Sequence, residues 1–261
     1  MEYFKGRYEV VASGRRQTDF WMRHGVVYCS VDISKPENFN KLPQSDVHAV
    51  VYLAAQIPSY MEGYQPQSYV ASNMLGAFNV LEYCRRVKAN RVLFFTSVFD
   101  LSEYVKDKNI VLRPDMPLNF SYTGDHALYV ISKNTASVSL CSVFRRSTAT
   151  VPTTTTIPAG GKTLRPVYRM IDLAKVGEPI ELWGDPNYSK DMVHVYDCAQ
   201  MMCRAVDVKR DHGFYNVGTG IPVTLREQIE TIIKVFSPKD KPSPIVMRPD
   251  KEGRGRVPYG Y

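Results

Sequence analysis

Two largely apolar runs of strand length, Ala49-Val50-Val51-Tyr52-Leu53-Ala54-Ala55 and Arg91-Val92-Leu93-Phe94-Phe95-Thr96-Ser97, stand on either side of a longer stretch from Tyr69 to Lys88. In that stretch Val70, Met74, Phe78, Leu81 and Cys84 recur at helical spacing. Strand, helix, strand at this spacing predicts a βαβ unit. Its strands are then parallel and covered on both faces, with ligands beyond their carboxyl ends, where Ala54-Ala55 and Thr96-Ser97 fall.

Shorter patterns extend the picture. Tyr8 to Ser13 and Val26 to Val31 read as strands separated by a single helical turn, the first stopped by Gly14-Arg15-Arg16 and the second ending at Asp32. Pro36 to Leu42 reads as a brief helix capped by Ser34. A helix containing Tyr129 and Lys133 runs to about Leu140, with a further strand expected over Leu140 to Phe144. Residues 145–167 break the pattern and read as an irregular loop. Gly161-Lys162-Thr163 shares the ending of a phosphate-binding loop, but Thr156 stands where that motif has its first glycine. After it come a helix (Met170 to Val176), a strand (Pro179 to Trp183), strand-like Val193-His194-Val195 and an amphipathic helix (Tyr196 to Ala205). Thr224, with Glu227 three residues on, marks the start of a last helix to about Val235, and the proline-containing tail from Ser237 is expected to wrap the surface.

At 261 residues, 44% of them hydrophobic, the chain can bury a large core as a soluble globular protein. The net charge of +7 suits an anionic ligand, yet the basic residues are dispersed, so nucleic acid is not the expected partner. Five cysteines without a CxxC pair indicate neither a disulfide framework nor a zinc site, and no metal is expected. No apolar run is long enough for a membrane helix, and no signal peptide is recognised. The expected setting is a reducing cytoplasm.

Chemistry enters with Tyr129-Val130-Ile131-Ser132-Lys133. Residues four apart lie on one helix face, so a phenol and an ammonium can serve one site, and a neighbouring cation favours the phenolate. The alternative is an exposed pair on a solvated face.

Several motifs in order change its standing. Val50 to Ala55, Asn73-Met74-Leu75-Gly76-Ala77-Phe78-Asn79-Val80-Leu81, Phe95-Thr96-Ser97, Tyr129 to Lys133, Gly184-Asp185 with Lys190 to Val195, and Tyr215-Asn216-Val217-Gly218-Thr219-Gly220 together resemble the extended short-chain dehydrogenase/reductase family, the NAD-dependent epimerases and dehydratases of nucleotide sugars. The resemblance covers about residues 8–144 and 168–235. It implies a Rossmann-like doubly wound parallel sheet in an α/β fold, over residues 1–167, with a smaller, interleaved substrate-binding lobe over residues 168–261. Tyr129 is then the catalytic acid/base, and Lys133 lowers its pKa and holds the nicotinamide ribose. Ser97, or Thr96 in its place, hydrogen-bonds the substrate hydroxyl. Asn73 positions the lysine side, Asp32 and Ile33 meet adenine, and Leu53, Ala54 and Ala55 lie beside the cofactor. Gln56, Trp183, Lys190 and Asp191 line the substrate. The cofactor is NAD or NADP; Arg15 and Arg16 suit a 2′-phosphate, but also read as surface arginines at a turn. A nucleotide sugar is the expected substrate and a homodimer the expected assembly.

The sequence departs from the family in three places. The family's first strand and its G-x-x-G-x-x-G turn, which receives the pyrophosphate at a helix N-terminus, have no counterpart before the Tyr8 strand, which leaves two inner sheet edges without a partner. Residues 145–150 do not match the family's strand and loop, and the smaller lobe lacks its expected closing helix. These departures favour an alternative, a family remnant that binds without catalysis.

Overall fold

The computed structural model of the chain describes residues 4, 6–57, 65–104, 110, 113, 115–123, 127–143, 148–150, 166–209 and 213–251. The phosphate-loop-like Gly161-Lys162-Thr163 lies outside the described residues. By its internal contacts the chain divides into two units, Met1–Glu103 with Arg113–Thr153 and His194–Val217, and Tyr104–Leu112 with Thr154–Val193 and Gly218–Tyr261.

In the first unit, β1 (Val11–Gly14), the single turn α1 (Phe20–Arg23) and β2 (Val27–Ser30) form a parallel pair, with Val11 opposite Val27. A 3-10 turn follows at Pro36–Lys41. Ser34 does not cap it: its N–H and hydroxyl both donate to Asp32 Oδ1, at 3.0 and 2.7 Å, and close the turn before it. Next come β3 (Ala49–Tyr52), α2 (Pro66–Tyr69), a π-helical turn (Val70–Leu75) and α3 (Gly76–Arg86). The unit continues with β4 (Arg91–Phe94), a 3-10 turn at Val98–Leu101, α4 (Ala127–Val143) and β5 (Thr148–Thr150).

Strand β4 is the axis of the core. Val92, Leu93 and Phe94 are fully buried, with the alternation of a strand covered on both sides. Ala77, Val80, Leu81 and Cys84 of α3 belong to the same cluster as Val92 and Phe94. On the other face Leu93 meets Val206 of a later helix, with Tyr8, Ala49 and Val51 packed around them. β3 and β5 flank β4 in parallel, with Tyr52 and Thr150 both opposite Phe94.

The second unit opens with α5 (Pro166–Lys175), β6 (Ile180–Trp183) and β7 (Ser189–Asp191). The chain then returns to the first unit for α6 (Val195–Asp207) and β8 (Gly213–Phe214), the last strand of the order β3-β4-β5-β8. It closes in the second with β9 (Pro222–Thr224), α7 (Leu225–Phe236) and β10 (Ile245–Arg248). Ala174, Ile180, Leu182, Ile229 and Ile232 form that unit's core.

Among the described residues no strand joins β1 to β3; the β1-β2 pair and the four-stranded sheet are separate. Ala49, Val50 and Val51 of β3 are only half-buried, in contrast to the β4 residues beside them. That is the side-chain counterpart of an unpaired inner edge.

Several expectations are corrected. The π turn inserts a residue into the long helix and rotates the residues after it by about 100°. Val70, where the turn begins, and Phe78, both expected inside, are 39% and 46% exposed, and Asn73, Ala77 and Val80 take inward positions along with the expected Leu81 and Cys84. Leu140 to Val143 continue α4 instead of forming a strand, a short apolar run having no period of its own. Thr148–Thr150, expected in a loop, pair with β4 and β8. His194 is the N-cap of α6, its ring accepting from the Tyr196 N–H at 3.3 Å, so it does not continue a strand. The tail does not merely wrap the surface, because β10 pairs in parallel with β6.

The capping box at α7 is present in full: Glu227 N–H donates to Thr224 Oγ1 at 3.1 Å, and Thr224 N–H donates to Glu227 Oε2 at 2.8 Å. Thr224→Ala is expected to destabilise the second unit by about 1 kcal/mol. Glu227→Ala added to it should cost little more, a non-additivity that urea unfolding of the three variants reads.

Candidate active site

Tyr129 and Lys133 lie one turn apart on α4 and are 9% and 4% exposed, so the solvated-face alternative does not hold. Tyr129 and Val130 pack with Tyr69 of α2, Phe120 and Leu128. Ser97, also buried, follows the end of β4, and its side chain hydrogen-bonds the Tyr129 phenol. Ser97, and not Thr96, is thus the hydroxyl that the fold brings to the tyrosine.

Burial governs the protonation of both groups. It pushes the Tyr129 phenol up to about 12; the Ser97 hydrogen bond opposes this, while Asp100 and Tyr69 add to it. It brings the Lys133 ammonium down to about 8 against the attraction of Asp100. Lys133 Nζ sits 4.2 Å from the centroid of the Phe94 ring, a cation–π contact. The Lys133 ammonium, expected to act on the tyrosine, lies over the Phe94 ring.

The helix is set against the sheet by one buried amide. Asn73, 1% exposed within the π turn, accepts from the Gln56 N–H at 2.7 Å and donates to the Gln56 carbonyl at 3.0 Å. Its amide also donates to Ser132 Oγ at 3.0 Å, and Ser132 Oγ donates to the Tyr129 carbonyl at 2.8 Å. The chain leaving β3 and the turn bearing the tyrosine are thus fixed to each other. Gln56 is held through its backbone. Sequence reading missed Ser132, Asn134 and Asp100. A buried acid three residues after Ser97 was the available sign, and its apolar neighbours hid it.

The residues expected near adenosine are more open. Arg15 and Arg16 are exposed, and the Asp32 carboxylate is committed to Ser34, which holds it below the usual carboxylate range with help from Lys35 and Arg15. Ile33 packs at Gly76, and its carbonyl accepts from Asn79 at 2.8 Å. Leu53 and Ala54 are exposed past the end of β3, with Ala55 half-buried. In the second unit, Trp183 Nε1 donates to Glu181 Oε2 at 2.7 Å, and Lys251 Nζ lies 4.7 Å from the Trp183 ring centroid. Burial lowers the pKa of Lys190. Asp191 accepts from the Thr219 N–H at 2.9 Å, the Thr219 hydroxyl at 2.6 Å and the Gly220 N–H at 2.7 Å. Three donors make it an anchor for the glycine loop before β9.

A helix-covered parallel sheet with a hydroxyl, a phenol and a buried lysine at its carboxyl edge defines a Rossmann-like α/β fold. The model of the NAD dependent epimerase/dehydratase family matches residues 2–218, and the chain belongs to that family. Among curated relatives, a probable UDP-glucuronate 4-epimerase of Rhizobium meliloti is 21% identical over 73% of the chain, and a putative UDP-glucose 4-epimerase of Methanocaldococcus jannaschii is 27% identical over 78%. The chain spans 60% and 66% of their respective lengths. The solved structure of the Bordetella bronchiseptica enzyme WbmG in complex with NAD superposes with a TM-score of 0.74 at 15% identity, covering 98% of this chain and 77% of that one. Among the described residues no helix is long and apolar enough to cross a membrane.

Replacing Asn73 by Leu keeps the branching at Cγ but leaves both Gln56 backbone groups without this partner. A loss of about 2–4 kcal/mol is expected, read as a lower urea midpoint at unchanged slope.

Proposed function

We propose that the chain carries the acid/base site of an NAD(P)-dependent epimerase, dehydratase or reductase of a nucleotide-activated sugar. The observation that carries this reading is the hydrogen bond from Ser97 to the buried Tyr129 phenol, with Lys133 one turn away. Bound oxidised nicotinamide supplies a hydride acceptor and a positive charge that favours the phenolate. Tyr129 moves the matching proton at the sugar oxygen, and Ser97 holds that oxygen by a hydrogen bond. Lys133 would meet the nicotinamide ribose. The relatives' names and the WbmG complex with NAD and UDP support a uridine-nucleotide sugar, with Trp183, Gln56, Lys190 and Asp191 on its side.

The residues fit a dinucleotide unevenly. Ser97, Tyr129 and Lys133 fit the nicotinamide end; Arg15, Arg16, Asp32 and Ile33 fit the adenosine end, the two arginines favouring a 2′-phosphate. Among the described residues no glycine-rich turn joins a strand directly to a helix N-terminus, so no pyrophosphate cradle is assigned. The second reading is a family member that binds without turnover. The free thiols of Cys29, Cys84 and Cys203 suit a reducing, cytoplasmic setting. Leu75, Phe78, Ile131 and Val138, exposed on the neighbouring π turn, α3 and α4, suit a homodimer interface.

Titration with NADH and NADPH, followed by nicotinamide fluorescence, is expected to saturate, more tightly for NADPH. No saturable signal at millimolar cofactor would favour the non-catalytic reading. Tyr129→Phe should then lower kcat by about 100-fold or more at nearly unchanged cofactor affinity. For the assembly, Phe78→Glu combined with Val138→Glu should halve the mass measured by light scattering; a wild-type monomer sinks the dimer.

A further inference from the structure

The acid/base reading leaves one buried charge unused. Asp100, in the 3-10 turn after β4, is 4% exposed, and a buried carboxylate is costly unless it is hydrogen-bonded and faces a cation. Both conditions hold. Its Oδ2 accepts from the Ser97 N–H at 3.2 Å and its Oδ1 from Asn134 Nδ2 at 3.0 Å. Its own N–H donates to the Ser97 carbonyl at 3.2 Å, closing a turn around that serine, and its carbonyl accepts from the Asn119 N–H at 2.9 Å. The Asn134 amide also donates to the Val130 carbonyl at 3.0 Å, so one carboxylate links the residue after β4 to the α4 turn between Tyr129 and Lys133. The cation whose charge acts on it is Lys133, beyond ion-pair distance.

We propose that Asp100 is the positioning residue of this site: its carboxylate ties Ser97 to α4 through Asn134 and, through the Ser97 backbone, keeps the Ser97 hydroxyl on the Tyr129 phenol, while its charge acts on the Lys133 ammonium. The proposal rests on the acid/base reading of Ser97, Tyr129 and Lys133. Among the described residues, the titratable groups whose charges act on Asp100 or through it are Lys133 and Tyr129 of α4; Tyr69 of α2 acts on Tyr129. Burial pushes the Asp100 carboxyl up to about 6, and Lys133 titrates at about 8, so the carboxylate and ammonium coexist in the window between these values. Below it the carboxyl is neutral and no longer attracts the lysine; above it the lysine is neutral and has no charge to attract.

Two measurements decide this. A double-mutant cycle of Asp100→Asn and Lys133→Met, read by urea unfolding at pH 7, should show the two effects coupled by about tenfold in the unfolding constant; additivity overturns the proposal. In parallel, the pH profile of kcat/KM is followed with UDP-glucose and NAD as probes. Wild type should rise through about 6 and fall through about 8. Asp100→Asn should lose the acid limb, move the alkaline limb to lower pH and fall about tenfold or more in kcat/KM. An Asp100→Asn profile that keeps the acid limb makes the residue structural only and overturns the proposal even if the cycle shows coupling. Failure of the underlying reading looks different: Tyr129→Phe would turn over at the wild-type rate, or wild type would show no turnover, while the cycle still decides whether the Asp100 charge acts on Lys133.

Discussion

The Asn73 amide is the interaction on which the site depends. A buried amide must find partners for its donors and its acceptor, and here they come from the chain leaving β3 and from α4. The strand edge and the tyrosine helix cannot shift separately without leaving a polar group unmet. The position of Tyr129 over the sheet's carboxyl end is thus set by satisfying hydrogen bonds as much as by apolar packing.

Around that clamp the site concentrates charge where the protein is driest. Phe94 closes the core of β4 and also carries the Lys133 ammonium on its face. The same desolvation raises the phenol and lowers the lysine, so burial favours the neutral form of both groups.

Much of this was legible because it follows from local pattern. β3 and β4 are apolar runs bounded by polar residues, Tyr129 and Lys133 have one-turn spacing, and Thr224 with Glu227 writes its own cap. What stayed hidden depends on tertiary contact. Asn73 is a polar residue on the inward line of a helix, β10 follows Pro238, Pro242 and Pro244, which suggested a wrapping tail, and Asp100 takes its meaning from Asn134, thirty-four residues away. Whether Lys133 would meet Tyr129 or the Phe94 ring could not be read from spacing, because a lysine side chain reaches in several directions from one helical position.

The π turn at Val70–Leu75 has a consequence for engineering this chain. Deleting one residue there would restore regular α-helical bonding and is the kind of change that a search for greater local order would select. It would also rotate either Asn73 or the face of α3 packed on β4 away from its contacts. The irregular turn lets one helix satisfy two surfaces whose phases differ, so a more regular helix would be the worse one for this protein.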